Sequence, residues 1–213
     1  MTPGYLEGTS PMAQVSGATQ APAAPPALSP FANPAPLGLV GFGLTTLLLS
    51  LTNANIIPPT SVPIVLALAI PFGGGCQVVA GLIAFRNGNT FAATAFTSYG
   101  AFWISFVMIN TLFGAALPKD PTPMLGMYAF AWGIFTAYMF VASLAGSRAV
   151  SVVFLLLTLT FIALAIGFWG HDAAGNGWTN IGGWLGILTA AAAVYTSFAD
   201  VANASFKRTV LPV

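Results

Sequence analysis

Charged side chains are scarce in this sequence, which has only five Lys and Arg and four Asp and Glu among 213 residues. Soluble domains carry roughly a quarter charged residues, whereas here the share is 4% and 57% of the residues are hydrophobic. The composition therefore indicates an integral membrane protein. The net charge of +1 provides no basic field that would attract nucleic acid or acidic partners, so neither is expected.

Cysteine and histidine are also nearly absent. Cys76 is the sole cysteine, which excludes an internal disulfide and a cysteine-cluster metal site. His171 is the sole histidine, and it lies beside Asp172 in a polar segment that we interpret as a solvated loop. A single histidine without a carboxylate cluster supports neither metal catalysis nor a Ser-His-Asp triad, so we expect no enzyme activity, no cofactor and no metal.

Residues 1 to 32 contain six of the sixteen prolines, no Lys or Arg, and one acidic residue, Glu7. Such a segment cannot bury enough apolar surface to fold. It also lacks the basic start of a secretory signal and the arginines of a mitochondrial transit peptide. We therefore predict a disordered, Pro/Ala-rich cytoplasmic tail over 1–32.

Six apolar runs follow, each near the 20 residues that a membrane-spanning helix needs. The runs cover residues 37–57, 62–85, 96–117, 124–145, 150–169 and 181–202. Strands of an outer-membrane barrel would be about 10 residues long with alternating polarity, and these runs show neither property. The predicted fold is an all-α integral membrane protein with six transmembrane helices in a transport domain over residues 33–206.

The basic residues predict the orientation, because cytoplasmic segments carry the excess of Lys and Arg. Arg86, Arg148, Lys207 and Arg208 fall on the side shared by both termini, and Lys119 alone falls on the other. We expect both termini in the cytoplasm of a cell membrane, either plasma or bacterial inner membrane. Residues 207–213 would form a short basic cytoplasmic tail.

Helix breakers occur at two places, just before the first apolar run and within the second. Pro34 and Pro36 lack backbone donors and fix φ, so a regular helix is expected only after Pro36, with Asn33 and Ala35 extended. Free backbone groups beside an apolar run indicate the mouth of a passage. The stretch from Pro71 through three glycines, 73–75, predicts a broken or wide-turn helix.

The runs contain one acid or base apart from tyrosines, Asp200. An intramembrane carboxylate is a functional candidate, but a structural pair with Lys207 or Arg208 about two turns further on explains it equally well.

Two mixed stripes of aromatic and polar residues suit either a narrow path for a small amphipathic solute or a plain helix contact. One stripe lies on the first helix and one on the third: Phe42, Thr45 and Leu49; Tyr99, Trp103, Phe106 and Asn110.

Several long motifs resemble the acetate uptake transporters, also called succinate-acetate permeases. They are "NPAPLGL" at 33–39, "GFG" at 41–43, "AGL" at 80–82, "GNTFAATAFTSYGAFW" at 88–103 and "RTVLP" at 208–212. The resemblance spans residues 32–212 and implies six helices around a pore in each subunit, a homohexameric ring, and transport of acetate and related small monocarboxylates, with succinate as a further candidate. Members commonly carry a Glu where this chain has Ala84, so proton coupling is the least supported inherited property.

Position by position, the resemblance implies a hydrophobic constriction of Phe42, Tyr99 and Leu157. Polar residues proposed to line the solute path are Asn33, Thr45, Gln77 and Thr158. No Lys or Arg sits mid-membrane to neutralise a carboxylate, so the solute would be stabilised by amides, hydroxyls and helix ends, or would cross as the neutral acid. We also expect the Tyr99 hydroxyl to hydrogen-bond the carboxylate. The transport route would be a channel or a proton symport.

Two other functions fit six apolar helices. A channel for a small neutral solute such as urea, ammonia or water would share the architecture, and a non-transporting receptor or assembly protein would use the helices only as a scaffold.

Overall fold

The computed structural model describes Met1 and residues 31–213. The predicted disordered tail lies outside the described residues except for its first and its last two positions. The described residues form seven α-helices: α1 Ala35–Asn53, α2 Val62–Leu68, α3 Gln77–Arg86, α4 Thr90–Asn110, α5 Thr122–Ser143, α6 Arg148–Trp169 and α7 Gly177–Phe206. Short 3₁₀ turns lie at Pro59–Ser61 and Gly114–Ala116, and a π-helix, Ala69–Cys76, joins α2 to α3.

The six predicted spans are confirmed, and the part of the chain that the structure describes contains no β-strand. Within residues 31–213, six helical segments are long and apolar enough to cross a membrane, the second being the composite segment Pro59–Arg86. The chain is therefore a multi-pass membrane protein. Large apolar side chains such as Ile64, Leu82 and Val141 are exposed on the outside of the bundle, where lipid or another subunit would cover them.

The helix ends differ from those predicted because polar caps, rather than apolar runs, decide where helices begin. Helix α4 begins at Thr90, six residues before the apolar run at 96, because the Asn89 side chain accepts a hydrogen bond from Ala92 N at 2.9 Å. Helix α7 is 30 residues long, whereas its apolar run covers 181–202. Helix α7 therefore extends beyond its apolar run at both ends.

The expected start of α1 is wrong. Ala35 is already helical and Pro34 is the N-cap with φ −80° and ψ −12°, so Pro36 lies inside the first turn. The first turn tolerates proline because its N–H groups have no intrahelical partner. The first helical hydrogen bond runs from Gly38 N to Pro34 O at 3.2 Å.

The wide turn predicted around Pro71 is confirmed as the π-helix Ala69–Cys76. Pro71 cannot donate a backbone hydrogen bond, which favours a departure from α-helical bonding there. Gly73 is buried against α1 and α4: a Cβ at this position would lie 2.8 Å from Trp103 Cγ and 2.9 Å from Thr45 Oγ1. The glycine therefore permits the π-helix to pack closely on both neighbours.

The helices surround an aromatic centre. Helix α1 packs on α7 and on α3 with the π-helix, α6 lies between α5 and α7, and α3 packs on α4. Helices α4 and α5 meet chiefly through aromatic side chains, including the Phe102–Trp132 pair with ring centroids 5.1 Å apart. The order around the bundle is therefore α4, α3, α1, α7, α6, α5.

Candidate functional site

A cavity of about 370 Å³ occupies the end of the bundle where α1, α4 and α6 begin. Its rim contains exposed residues such as Asn89 and Gly146, and its inner end contains buried ones. From the helical rise, the innermost residues lie roughly 10 to 14 Å below the first residues of their helices. The innermost residues on α1, α4 and α6 are Phe42, Tyr99 and Leu157.

The structure brings the three predicted constriction residues together at the inner end of this cavity. Phe42, Tyr99 and Leu157 are 5%, 3% and 4% exposed, and the rings of Phe42 and Tyr99 have centroids 5.6 Å apart. Beyond Tyr99 the centre of the bundle is filled by further rings, beginning with Phe135 at 5.3 Å from the Tyr99 ring. Aromatic side chains therefore lie next to the inner end of the cavity. The role of these residues in transport stays a prediction.

The Tyr99 hydroxyl is committed to a hydrogen-bond chain on α5. Thr136 Oγ1 donates to Trp132 O at 2.7 Å, and Tyr99 Oη lies 2.8 Å from Thr136 Oγ1. A threonine hydroxyl has one proton, so Tyr99 must be the donor to Thr136. In this arrangement the phenol oxygen can only accept a further hydrogen bond. It can accept from the O–H of a carboxylic acid, whereas donation to a carboxylate, the role expected from the sequence, requires the bond to Thr136 to break. That role stays a prediction.

Gln77, the first residue of α3 after the π-helix, lines the cavity together with Phe42 and Tyr99. Its side chain is 1% exposed, and neither Oε1 nor Nε2 has a hydrogen-bond partner among the described residues. Buried polar groups are almost always paired, so this amide is suited to a polar solute. An amide both donates and accepts, which allows it to bind either a carboxylate or a carboxylic acid.

The other three predicted polar residues do not line this cavity. The Asn33 side chain is exposed and accepts from Ala35 N at 3.0 Å. The hydroxyls of Thr45 and Thr158 each donate to the carbonyl four residues earlier, at 2.8 Å, a local bond typical of helical threonine. Their contribution to the solute path stays a prediction. Of the two mixed stripes, only Phe42 and Tyr99 reach the cavity, and the remaining members lie elsewhere in the bundle.

The sequence analysis missed the helix caps at the rim. Asn89 and Ser147 cap α4 and α6, and both line the cavity, as does Ala35 at the start of α1. The positive ends of three helix dipoles therefore face the cavity, against the negative end of α5 near Ser143. Asn or Ser directly before a helix is a recognised start signal, so the sequence could have revealed both caps.

Asp200 also lines the cavity, near its rim. The pair with Lys207 or Arg208 that the sequence allowed is not formed, because in residues 31–213 no ion pair within 4.0 Å involves Asp200. The alternative interpretation of Asp200 as a functional carboxylate thereby gains support.

At the opposite end of the bundle, His171 and Asp120 form a contact of 3.1 Å between two loops, with 60% and 54% of their side chains exposed. A solvated loop position was expected for His171. A hydrogen bond from the Thr122 hydroxyl lowers the pKa of Asp120 to about 2, and the hydrogen bond with His171 contributes to a smaller extent. The contact connects the segment before α5 to the segment after α6.

Comparisons with known proteins agree with the motifs. A sequence model of the GPR1/FUN34/yaaH family matches residues 15–213. The succinate-acetate/proton symporter SatP of Escherichia coli K12 is 45% identical over 184 residues, which cover 85% of this chain and 95% of SatP. Acetate permease A of Emericella nidulans is 38% identical over 196 residues, covering 86% of this chain and 66% of the permease.

Among solved structures, the bacterial acetate channel SatP matches with a TM-score of 0.79 at 44% identity, covering 86% of this chain and 99% of the channel. The six-helix arrangement is thus shared along nearly the whole of that protein.

Proposed function

Because the chain belongs to the GPR1/FUN34/yaaH family, we propose that it transports acetate and related small monocarboxylates, and succinate, across a cell membrane. The observation that carries the proposal is the cavity that ends at Phe42, Tyr99 and Leu157 beside the unpartnered amide of Gln77. A relative named as a succinate-acetate/proton symporter and a solved structure named as an acetate channel support the same substrate class.

The geometry suits a solute with one polar and one small apolar end. The helix starts at the rim attract an anion, and the Gln77 amide can hold a carboxyl group while Phe42 and Leu157 contact a methyl group. Hydrated inorganic ions would lose their water against these apolar side chains without gaining a replacement, which excludes them. The route is a channel or a proton symport through this constriction.

We further propose a homohexameric ring in a plasma or bacterial inner membrane, with both termini in the cytoplasm. The basic residues on the side of the termini support the orientation, and the exposed apolar side chains on the outside of the bundle support contacts with lipid and with neighbouring subunits. The cavity would then open to the cytoplasm. Similarity to transporters and channels favours transport over an enzymatic role.

The test is uptake of radiolabelled acetate by liposomes containing the purified protein, with uptake by protein-free liposomes subtracted. We expect Phe42→Ala and Leu157→Ala to change the rate and the preference between acetate and longer monocarboxylates. Leu155→Ala is the matched control, because Leu155 lies on the same helix with 42% exposure. Unchanged rate and preference in both cavity variants would contradict the proposed constriction.

The same liposomes test the neutral-solute alternative. If urea, ammonia or water were the true solute, its flux would exceed that of acetate, and acetate would not compete with it. A protein that catalyses no flux of any of these solutes would instead favour a scaffold role.

A further inference from the structure

Asp200 lies at the rim of the cavity, about one helical turn beyond Ser197, which is hydrogen-bonded to the start of α1. Ser197 Oγ donates to Pro36 O at 2.7 Å, which places Ser197 level with the start of α1. Asp200 lies three residues further towards the end of α7, about 4.5 Å along the helix axis. Its side chain is half-buried and lines the cavity. The Asp200 carboxyl group is therefore part of the rim at which the cavity opens at this end of the bundle.

The carboxyl group of Asp200 is available to a solute. It makes no ion pair and no hydrogen bond with any side chain or backbone group that the structure describes. Lys207 and Arg208 follow the end of α7, where Lys207 is the left-handed C-cap, and neither forms an ion pair with Asp200. A half-buried carboxylate without a partner does not stabilise the fold, because partial burial removes water from the charged group and no neighbouring cation or hydrogen-bond donor offsets that cost.

Other titratable groups around the cavity are few. Helix α4 contributes Tyr99, whose hydroxyl is hydrogen-bonded to Thr136, while the lining residues of α1, α3, α5 and α6 are neutral. Arg148 lies next to the rim at the start of α6 but does not line the cavity. Ala84 is fully buried and does not line the cavity. Asp200 is thus the one carboxyl group on the cavity in the described chain.

We propose that Asp200 exchanges a proton with the carried carboxylic acid at the mouth of the cavity; this inference rests on the proposed transport of short carboxylates. When the acid leaves the constriction, its O–H bond breaks and the proton binds a carboxylate oxygen of Asp200. The electron pair stays with the departing carboxylate, and Asp200 then releases the proton to water. In the opposite direction, Asp200 protonates the anion before it enters the apolar constriction.

The pH dependence of flux tests this exchange. Acetic acid resembles a side-chain carboxyl group in its pKa of about 4 to 5, so about a tenth of it is protonated at pH 5.5 and about one part in a thousand at pH 7.5. With Asp200→Asn, we expect initial acetate flux within about twofold of wild type at pH 5.5 and at least about tenfold lower at pH 7.5. The tenfold figure lies below the usual contribution of a positioned acid or base, about 10² to 10⁴. Asp200→Glu should retain the wild-type profile.

The control is Val201→Asn, since Val201 is exposed on the same helix and does not line the cavity. Equal flux in Asp200→Asn and wild type at both pH values overturns the proposal, and so does a loss by the same factor at both, which indicates a structural role. Wild-type acetate flux that is electrogenic and carries no protons also overturns it while leaving acetate transport intact. Absence of any wild-type acetate flux contradicts the proposed function itself.

Discussion

Replacing Tyr99 with Phe distinguishes two roles for its hydroxyl group. The phenol proton is donated to Thr136 at 2.8 Å, so the substitution removes one buried hydrogen bond between neutral groups. Such a bond contributes about 0.5 to 1.5 kcal/mol, whereas a hydrogen bond to a charged group contributes about 1.5 to 3 kcal/mol. The size of the effect therefore tells whether the hydroxyl donates to a carboxylate during transport.

A difference of 1.36 kcal/mol corresponds to a factor of ten in rate. We therefore expect Tyr99→Phe to lower acetate flux by less than about tenfold and to lower the free energy of unfolding by about 1 kcal/mol. Thr136→Val provides the comparison, because it leaves the buried phenol proton without a partner and destabilises the fold by about 1 to 3 kcal/mol. It also frees that proton for the solute, so its acetate flux should fall less steeply than that of wild type as pH rises.

The assay combines initial acetate uptake by liposomes with thermal unfolding in detergent. A loss of flux greater than about thirtyfold in Tyr99→Phe, with little change in thermal stability, would mean that the hydroxyl donates to the carboxylate during transport. The argument that Thr136 holds the phenol proton would then be refuted.

Three further predictions concern the fold. Gly73→Ala should destabilise the protein by about 1 to 3 kcal/mol through overpacking, because the added Cβ would lie 2.8 Å from Trp103. The matched control is Gly75→Ala, where the nearest atom is 3.5 Å away. Equal melting temperatures of the two variants would contradict the packing argument. Asn89→Ala should cost about 0.5 to 2 kcal/mol through loss of the α4 cap, and Asn89→Ser should recover most of it in the same thermal assay. The folded-state pKa of Asp120, about 2, lies below the ordinary value of 3.8. The Asp120 carboxylate therefore stabilises the folded state fully at pH values above 3.8 and loses this effect as the pH falls through about 2. Asp120→Asn should flatten the fall in melting temperature between pH 4 and pH 2, and an unchanged fall would show that this carboxylate is not responsible.

The number and type of helices could be predicted from sequence because transferring a span into lipid depends on summed apolar surface, which composition reports directly. Helix ends depend instead on single hydrogen bonds, such as that of Asn89 to Ala92 N, which hydropathy does not register. The start of α1 was misplaced for a related reason. A proline excludes a helix interior but not its first turn, and the position of Pro36 in that turn depends on where the helix begins.

The family resemblance predicted that three bulky residues on different helices lie together. Phe42, Tyr99 and Leu157 do line one cavity. The candidate site was less predictable for polar residues. A threonine such as Thr45 can satisfy its hydroxyl within its own helix, so its presence in an apolar run does not mean that it faces a path. Asp200 shows a second limit. Its separation of seven residues from Lys207 permits an ion pair between the two side chains, but the structure does not contain one.

The π-helix also fixes the rotational phase of the helix that follows it. A π-helical turn accommodates about one residue more than an α-helical turn, and one residue corresponds to about 100° of rotation around an α-helix. Without that extra residue, α3 would present a different side to the cavity, and the Gln77 amide would point towards a neighbouring helix or the lipid. The glycines and the proline of Ala69–Cys76 therefore determine which side chain of α3 lines the cavity, although none of them lines it.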